Sequence, residues 1–548
     1  MVMNKWLLVL VSSVLLNALM AQPENYGFLV EFTDKNHSQY STAHPEAFLS
    51  ERALQRREKS NIEISVVDLP VSQYYVDSLL SLNARLHNVS KWLNSAVYLT
   101  NNPDFRIEAF RSSFVKNVTL IYEGNSKKST ISANKFGQIV EDEPADFWGA
   151  AFHQLDRCRV TFLHQKGFKG HGIQVAVLDG GFYNVNTISG FDSLMLNHQI
   201  LGTYDFVNKN QQVFDDHEHG MMVLSVMAGN IPDQYLGSGP KASFWLLRTE
   251  NVFSEFPIEE ENWIAAAEFA DSAGCDIITA SLGYGEFDNP EMNHTISQLD
   301  GYTIRVSRAA DLAFDRGMLV INSAGNSGND PWYYITAPSD GKNVICVGAI
   351  DNMDNLASFS SRGPSADGRV KPDVVAQGVK TSLFNKFGII SEANGTSFSC
   401  PLVTGMAASL WSAFPDKTNS DIYHAIQYCS SNYISPNDGY GYGIPDFEKA
   451  YYRLLQNTVA DVGDNMLISY PNPFKDEFHL NVQNIGNTDV VIELYSFTGA
   501  KVYSEMFTLP GSNFHRIQID RIARLSRGVY FLTVLNGASR QTKTLVKL

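Results

Sequence analysis

Between about residues 147 and 455, short apolar runs alternate with amphipathic stretches, and this alternation constrains the fold more than any other feature of the chain. Residues 173–178, 244–247, 276–281, 318–322 and 344–349 are near-continuous apolar runs of strand length. Residues 261–272 and 307–314 carry apolar side chains at helical spacing. A strand that is apolar at every position, rather than at every second one, is buried on both faces. Strands of this kind separated by helices predict βαβ units, and so a parallel sheet with helices on both faces. Right-handed crossovers then bring the strand ends, and any site built on them, to one edge of the sheet.

Other segments differ in texture. Residues 1–21 read as a signal peptide: Lys5 opens it, an apolar run extends from Trp6 to Leu16, and small residues follow at Ala18 and Ala21. Ser12, Ser13 and Asn17 interrupt that run, which is short for a membrane span. Residues 22–146 show strands and helices without a glycine-rich catalytic turn; 90–99 reads as a helix end followed by a strand, and 114–118 as a closing strand. After the α/β segment 147–455 and a polar linker 456–464, the texture of 465–548 is β. The runs 490–495 and 529–534, with turn signals at Thr498-Gly499 and Asn536-Gly537, predict a small β-sandwich. The expected architecture is therefore α/β, preceded by a small α+β domain and followed by an all-β one.

The formal charge of −16, with no basic stripe, argues against nucleic acid as a partner. The cysteines Cys158, Cys275, Cys346, Cys400 and Cys429 fit no zinc pattern, and their odd number leaves at least one outside any intramolecular pair. Cys275 and Cys346 lie in apolar runs and read as buried thiols, whereas pairing among the other three is open.

Four polar residues stand where the α/β segment would build a site. Asp179 ends the run 173–178. His219 opens an apolar helix that continues through Val223 and Leu224. Asn326 follows the strand 318–322 in a turn of small residues. Ser397 lies in Asn394-Gly395-Thr396-Ser397, where a glycine turn meets a helix carrying Leu402, Val403, Met406 and Leu410. A hydroxyl at a helix N-terminus sits among unpaired N–H groups and the positive end of the dipole, which an oxyanion-forming reaction requires. His217 and His219 are two residues apart, not four, so they do not form a helical metal pair. The glycosylation pattern at Asn394 is set aside, because a glycan there would crowd Ser397.

Taken in order, these motifs resemble the subtilase family of serine peptidases. Residues 175–181 resemble its aspartate motif, 219–229 its histidine motif and 395–401 its serine motif. The intervening Gly239-Pro240, Ser281-Leu282-Gly283, Ser358-Phe359-Ser360-Ser361-Arg362-Gly363-Pro364 and Gly441-Tyr442-Gly443 fit as well. The chain departs from the family at Met222 and Leu402, where histidines are usual; neither position breaks bonds, so altered packing is expected there. The resemblance implies Ser397 as nucleophile, His219 as general base and acid, Asp179 as its orienting carboxylate, and Asn326 as oxyanion donor. It also implies that Ser281, Leu282, Gly283, Ser323, Ala324 and Gly325 wall the substrate pocket, with Thr336 near its floor. No cofactor is required. Structural calcium is common in the family and stays open here, no Asp-rich loop being evident.

Residues 22–146 resemble subtilase inhibitor propeptides, which implies a zymogen cut between about Val118 and Phe147, with the propeptide as intramolecular inhibitor. The tail, from Tyr470-Pro471-Asn472-Pro473-Phe474 to Leu548, is similar to C-terminal sorting domains of the bacterial type IX secretion system. That implies export across the inner membrane by the signal peptide and across the outer membrane by this domain, to a secreted or cell-surface location. The expected protein is a secreted serine endopeptidase acting on proteins or peptides. The alternative is a catalytically silent cell-surface binding protein on the same scaffold.

Overall fold

The inner strands of the central segment are buried on both sides, as their near-continuous apolar runs require. The computed structural model describes residues 24–124, 138–140, 148–459, 467–470, 474, 477–483, 488–509, 514–536 and 539–548, with 138–140 described in backbone only. The expected signal peptide (1–21), most of the expected cleavage region and Pro471-Asn472-Pro473 lie outside the described residues. The chain divides into two compact units, Met1–Tyr451 and Tyr452–Leu548.

The first unit begins with a four-stranded antiparallel sheet of β1 (Tyr26–Phe32), β2 (Ala84–Ser90), β3 (Ser95–Thr100) and β4 (Val115–Glu123), in the order β2-β3-β1-β4. A short strand, β5 (Gln138–Val140), follows. Next come β6 (Gln174–Asp179), β7 (Ile200–Asp205), a two-residue ladder β8 (Asn230–Ile231) with β9 (Tyr235–Leu236), β10 (Ser243–Arg248), β11 (Ile277–Ala280), β12 (Leu319–Ser323), β13 (Val344–Ile350) and β14 (Val374–Gln377). The hairpin β15 (Thr381–Phe384) and β16 (Ile390–Asn394) leads into the helix Thr396–Ser412.

Seven strands form the parallel central sheet, in the order β14-β13-β12-β11-β6-β10-β7. The chain passes from β6 to the edge strand β7, returns to β10 between them, then crosses to the other side at β11, so the switch point lies between β6 and β11, where such sheets place their sites. Register fixes the level: Ala280 pairs with Leu178 on one side and Asn322 on the other. Asp179, Ser281 and Ser323 therefore leave three neighbouring strands at the same height.

The N-terminal sheet packs its own apolar core, including Phe28, Val30, Tyr98 and Phe105, on one face. On the other it meets the helix Ile258–Ala273 through polar groups. The Glu268 carboxylate accepts the Ser90 hydroxyl at 2.6 Å and the Lys91 and Trp92 N–H groups at 2.7 and 3.0 Å. Asp271 takes Arg56 at 2.6 Å and Arg57 and Lys91 at 2.9 Å each, the arginines reaching across from the helix Glu51–Lys59. Of the stretch 90–99, expected to open as a helix end, Ser90 is the last residue of strand β2, and the expected strand is β3. The alternation was hidden because His87, Asn88 and Ser90 point at this polar interface instead of an apolar core.

All five cysteines are free. The helix Phe447–Val459 continues past the expected domain end at 455: its polar residues Gln456-Asn457-Thr458 read as linker, yet the backbone stays helical. Among the described residues, no helix is long and apolar enough to cross a membrane.

The second unit holds β17 (Leu467–Tyr470), β18 (Phe478–Gln483), β19 (Thr488–Ser496), β20 (Lys501–Leu509), β21 (Phe514–Ile519), β22 (Gly528–Asn536) and β23 (Ser539–Lys547). Two antiparallel sheets, β17-β18-β21 and β20-β19-β22-β23, close over Phe478, Leu480, Ile492, Leu494, Ile519, Leu532 and Leu545, making a small sandwich.

Candidate active site

Asp179 is the last residue of β6 and is completely buried. His219 opens the helix His219–Ala228 and is 2% exposed. Its Nδ1 lies 2.8 and 3.0 Å from the two Asp179 carboxylate oxygens. Since a carboxylate only accepts, the Nδ1 of a neutral His219 carries the proton and its Nε2 the lone pair. Gly220 permits the approach: a Cβ there would come within 2.4 Å of the Gly181 carbonyl oxygen and 2.8 Å of the Asp179 Cβ. His217 caps the same helix, its Nδ1 accepting the His219 N–H at 3.2 Å. Burial and the neighbouring His219 hold the His217 imidazole below its ordinary value.

Ser397 is the second residue of the helix Thr396–Ser412 and is 1% exposed. The turn before it depends on Gly395, whose φ of 153° with ψ of 149° is accessible essentially to glycine alone. On the same turn as Ser397, the Phe398 ring stands 5.9 Å from the His219 imidazole, so the two helices meet at their N-terminal ends. Pro401 lies four residues after Ser397 and has no N–H to close the helical bond to the Ser397 carbonyl. The Ser281 hydroxyl donates to that carbonyl instead, at 2.9 Å, joining the end of β11 to the serine turn. Cys400 is fully buried, and burial pushes its thiol up to about 12.

Asn326 follows β12. Its Oδ1 accepts the Thr396 backbone N–H at 2.9 Å and the Thr396 hydroxyl at 3.0 Å. A backbone N–H can donate only to the amide oxygen, so chemistry fixes the orientation of the side chain and leaves Nδ2 as the outward donor. Nothing in the residue pattern marks Thr396 for this role beyond its place between Gly395 and Ser397.

The segments Ser281-Leu282-Gly283 and Ser323-Ala324-Gly325 leave adjacent strands and are tied together by Asn322. Its Nδ2 donates to the Leu282 carbonyl at 2.9 Å and the Ser323 carbonyl at 3.0 Å. Thr336 lies where both glycines face: a Cβ on Gly283 would sit 2.0 Å from the Thr336 Oγ1, and one on Gly325 3.3 Å from it. Met222 and Leu402, where altered packing was expected, are both buried.

A feature that sequence reading missed is the group Glu250, Glu255 and Glu259, whose carboxylate oxygens lie within 4.8 Å of one another. Tyr284 donates to Glu250 at 2.7 Å and the Asn251 N–H to Glu259 at 2.7 Å. These residues come together through a loop and the following helix, at a spacing that matches no acidic-loop motif.

A buried carboxylate–imidazole pair thus lies beside the helix whose first turn carries a serine, at the carboxyl edge of a parallel sheet. Comparison with known proteins gives the family. Residues 170–443 match the Subtilase family, residues 27–135 a Peptidase S8 propeptide domain of Bacteroidota, and residues 469–548 a secretion system C-terminal sorting domain. Among its relatives, Serine protease AprX of Bacillus subtilis is 30% identical over 47% of this chain and 61% of its own length. Subtilisin DY of Bacillus licheniformis is 27% identical over 53% of this chain and 94% of its own. Subtilisin BL of Lederbergia lenta is 29% identical over 55% and 97%. The chain spans about three-fifths of the length of AprX, and nearly all of the two subtilisins. It belongs to the subtilase family and is a serine endopeptidase made with a propeptide and a sorting tail.

Proposed function

We propose that the protein is a secreted endopeptidase that cleaves peptide bonds through an acyl-enzyme on Ser397. His219 removes the Ser397 proton as the oxygen attacks the carbonyl, then passes it to the leaving amine. Asp179 holds the imidazole tautomer and stabilises the imidazolium. The oxyanion is met by the Asn326 Nδ2 and the Ser397 N–H at the positive end of its helix. Asn326 suits this role because Thr396 already occupies its oxygen. Substrate lies between Ser281-Leu282-Gly283 and Ser323-Ala324-Gly325, over Thr336.

The observation that carries the reading is the 2.8 Å contact between His219 and Asp179, beside the helix that bears Ser397. The N-terminal domain is proposed to hold the enzyme as a zymogen. The export route is proposed to begin with a signal peptide at 1–21 and end at the outer membrane through the sorting tail. Glu250, Glu255 and Glu259 are the residues that would hold a structural cation, calcium being the fitting one for an all-oxygen set.

A fluorophosphonate probe tests the chemistry. The processed protein should be labelled at Ser397, and Ser397→Ala should abolish both labelling and peptide hydrolysis. Absence of labelling after removal of the propeptide would favour a silent binding protein.

A further inference from the structure

A second histidine, His217, stands two residues before the one that pairs with Asp179. Its Nδ1 accepts the His219 backbone N–H at 3.2 Å. A ring nitrogen accepts only through its lone pair, so a neutral His217 carries its proton on Nε2, the opposite tautomer to His219. The bond also requires the neutral ring. Once protonated, His217 presents N–H from both nitrogens, and its Nδ1–H would face the His219 N–H donor to donor. Glu218, at the cap position itself, makes no side-chain bond to the helix, and His217 supplies the acceptor instead.

The backbone of His217 meets the other half of the pair. A Cβ on Gly181 would come within 2.4 Å of the His217 nitrogen and 2.8 Å of its carbonyl oxygen, so the loop that follows Asp179 lies directly against it. That carbonyl accepts the Tyr183 N–H, from the same loop, at 3.4 Å. Charges surround the ring as well. Burial holds its imidazole below the ordinary value; His219 and Lys386, in the turn between β15 and β16, add to this, while Asp179 on β6 and Glu218 oppose it. Lys386 lies 4.0 Å from Glu218, and Asp216 is held at 3.3 Å by Arg248 at the end of β10.

We propose that His217 is a positioning residue for the His219–Asp179 pair and must be uncharged for turnover, so that two imidazoles, not one, set the acid limit of activity. The inference rests on the reading of His219 as general base and deepens it by naming what regulates that base. With both rings neutral, the His219 N–H is bonded and its imidazole lies on Asp179. When His217 takes a proton it turns from acceptor to donor, releases an N–H of the first helical turn, and sets a positive charge at the positive end of the helix dipole. The helix start then shifts against the Asp179 loop, and the alignment of His219 is lost.

The test is the acid limb of kcat/KM for the processed enzyme on an uncharged peptide. For the unaltered enzyme kcat/KM should fall about tenfold per pH unit where one ring titrates, approaching about a hundredfold per unit once both do. His217→Asn offers an oxygen that accepts the same N–H and does not titrate, so its limb should stay at about tenfold per unit. His217→Ala offers no acceptor and should lie about fivefold below His217→Asn on the neutral plateau, the size of one lost helix cap. An unaltered enzyme whose limb never steepens before it unfolds, or a limb equally steep in His217→Asn, overturns the proposal. Independently of any change at His217, nitrogen-15 spectra of the Ser397→Ala protein should show the neutral His217 proton on Nε2; a proton on Nδ1 overturns it too. Fluorophosphonate labelling of Ser397 along a limb that does not steepen would remove the role of His217 and leave the enzymatic reading standing, whereas no labelling at any pH would remove both.

Discussion

Replacing Asp271 by Asn, in a precursor kept whole by Ser397→Ala, removes the one anion that three buried cations share. The side chains of Arg56 and Arg57 are each 2% exposed and that of Lys91 10%, so none can turn to water when the carboxylate is lost. Burial alone would raise the Asp271 carboxyl, but Lys91, Arg56 and Arg57 outweigh it and hold the group at about 2 against an ordinary 3.8. That depression corresponds to roughly 2.4 kcal/mol. Removing one partner of a buried ion pair costs about 3–5 kcal/mol, so a loss of about 3 kcal/mol is expected for the docked precursor. Because the folded value lies below the unfolded one, this stabilisation is complete above about pH 4 and is lost as pH falls toward 2. Urea unfolding of the two precursors measures it. The difference between Asp and Asn should be flat from neutral pH to about 5 and shrink below about 4. A loss under about 1 kcal/mol, or a difference unchanged between pH 4 and 2.5, would refute the reasoning.

Asn326→Ala should lower kcat about 10²–10³-fold with KM little changed, a magnitude established on subtilisin, a relative of this chain. Thr396→Val removes the hydroxyl contact to Asn326 but keeps the backbone one. It should cost about fivefold in kcat, in line with one hydrogen bond of about 1 kcal/mol, and steady-state kinetics of the processed enzyme separates the two. Ser281→Ala strands the Ser397 carbonyl that Pro401 cannot serve. It should cost about 1–3 kcal/mol in stability, as for any buried unpaired acceptor, read by thermal unfolding alongside kcat.

How much of this was legible follows from where each signal lives. Strands β6, β11, β12 and β13 announced themselves because a parallel strand covered on both faces must be apolar throughout. Asp179, His219, Asn326 and Ser397 stood out because they interrupt such runs at their ends. Strand β2 was not recognised, and its last residue Ser90 was taken for a helix end, since its inward side chains His87, Asn88 and Ser90 are polar and answer to the helix Ile258–Ala273.

The sequence by itself determined the sheet, its edge and the residue types gathered there, all properties of local periodicity and of motifs a few residues long. Tertiary structure alone decided the contacts across the chain: the carboxylate on the imidazole, the Ser281 hydroxyl on the carbonyl left by Pro401, the Thr396 pair that orients Asn326, and the three cations on Asp271. The physical reason is that a hydrogen bond or ion pair between distant residues leaves no periodic trace in either partner's surroundings. It exists only once the packing of strands and helices has fixed the distance.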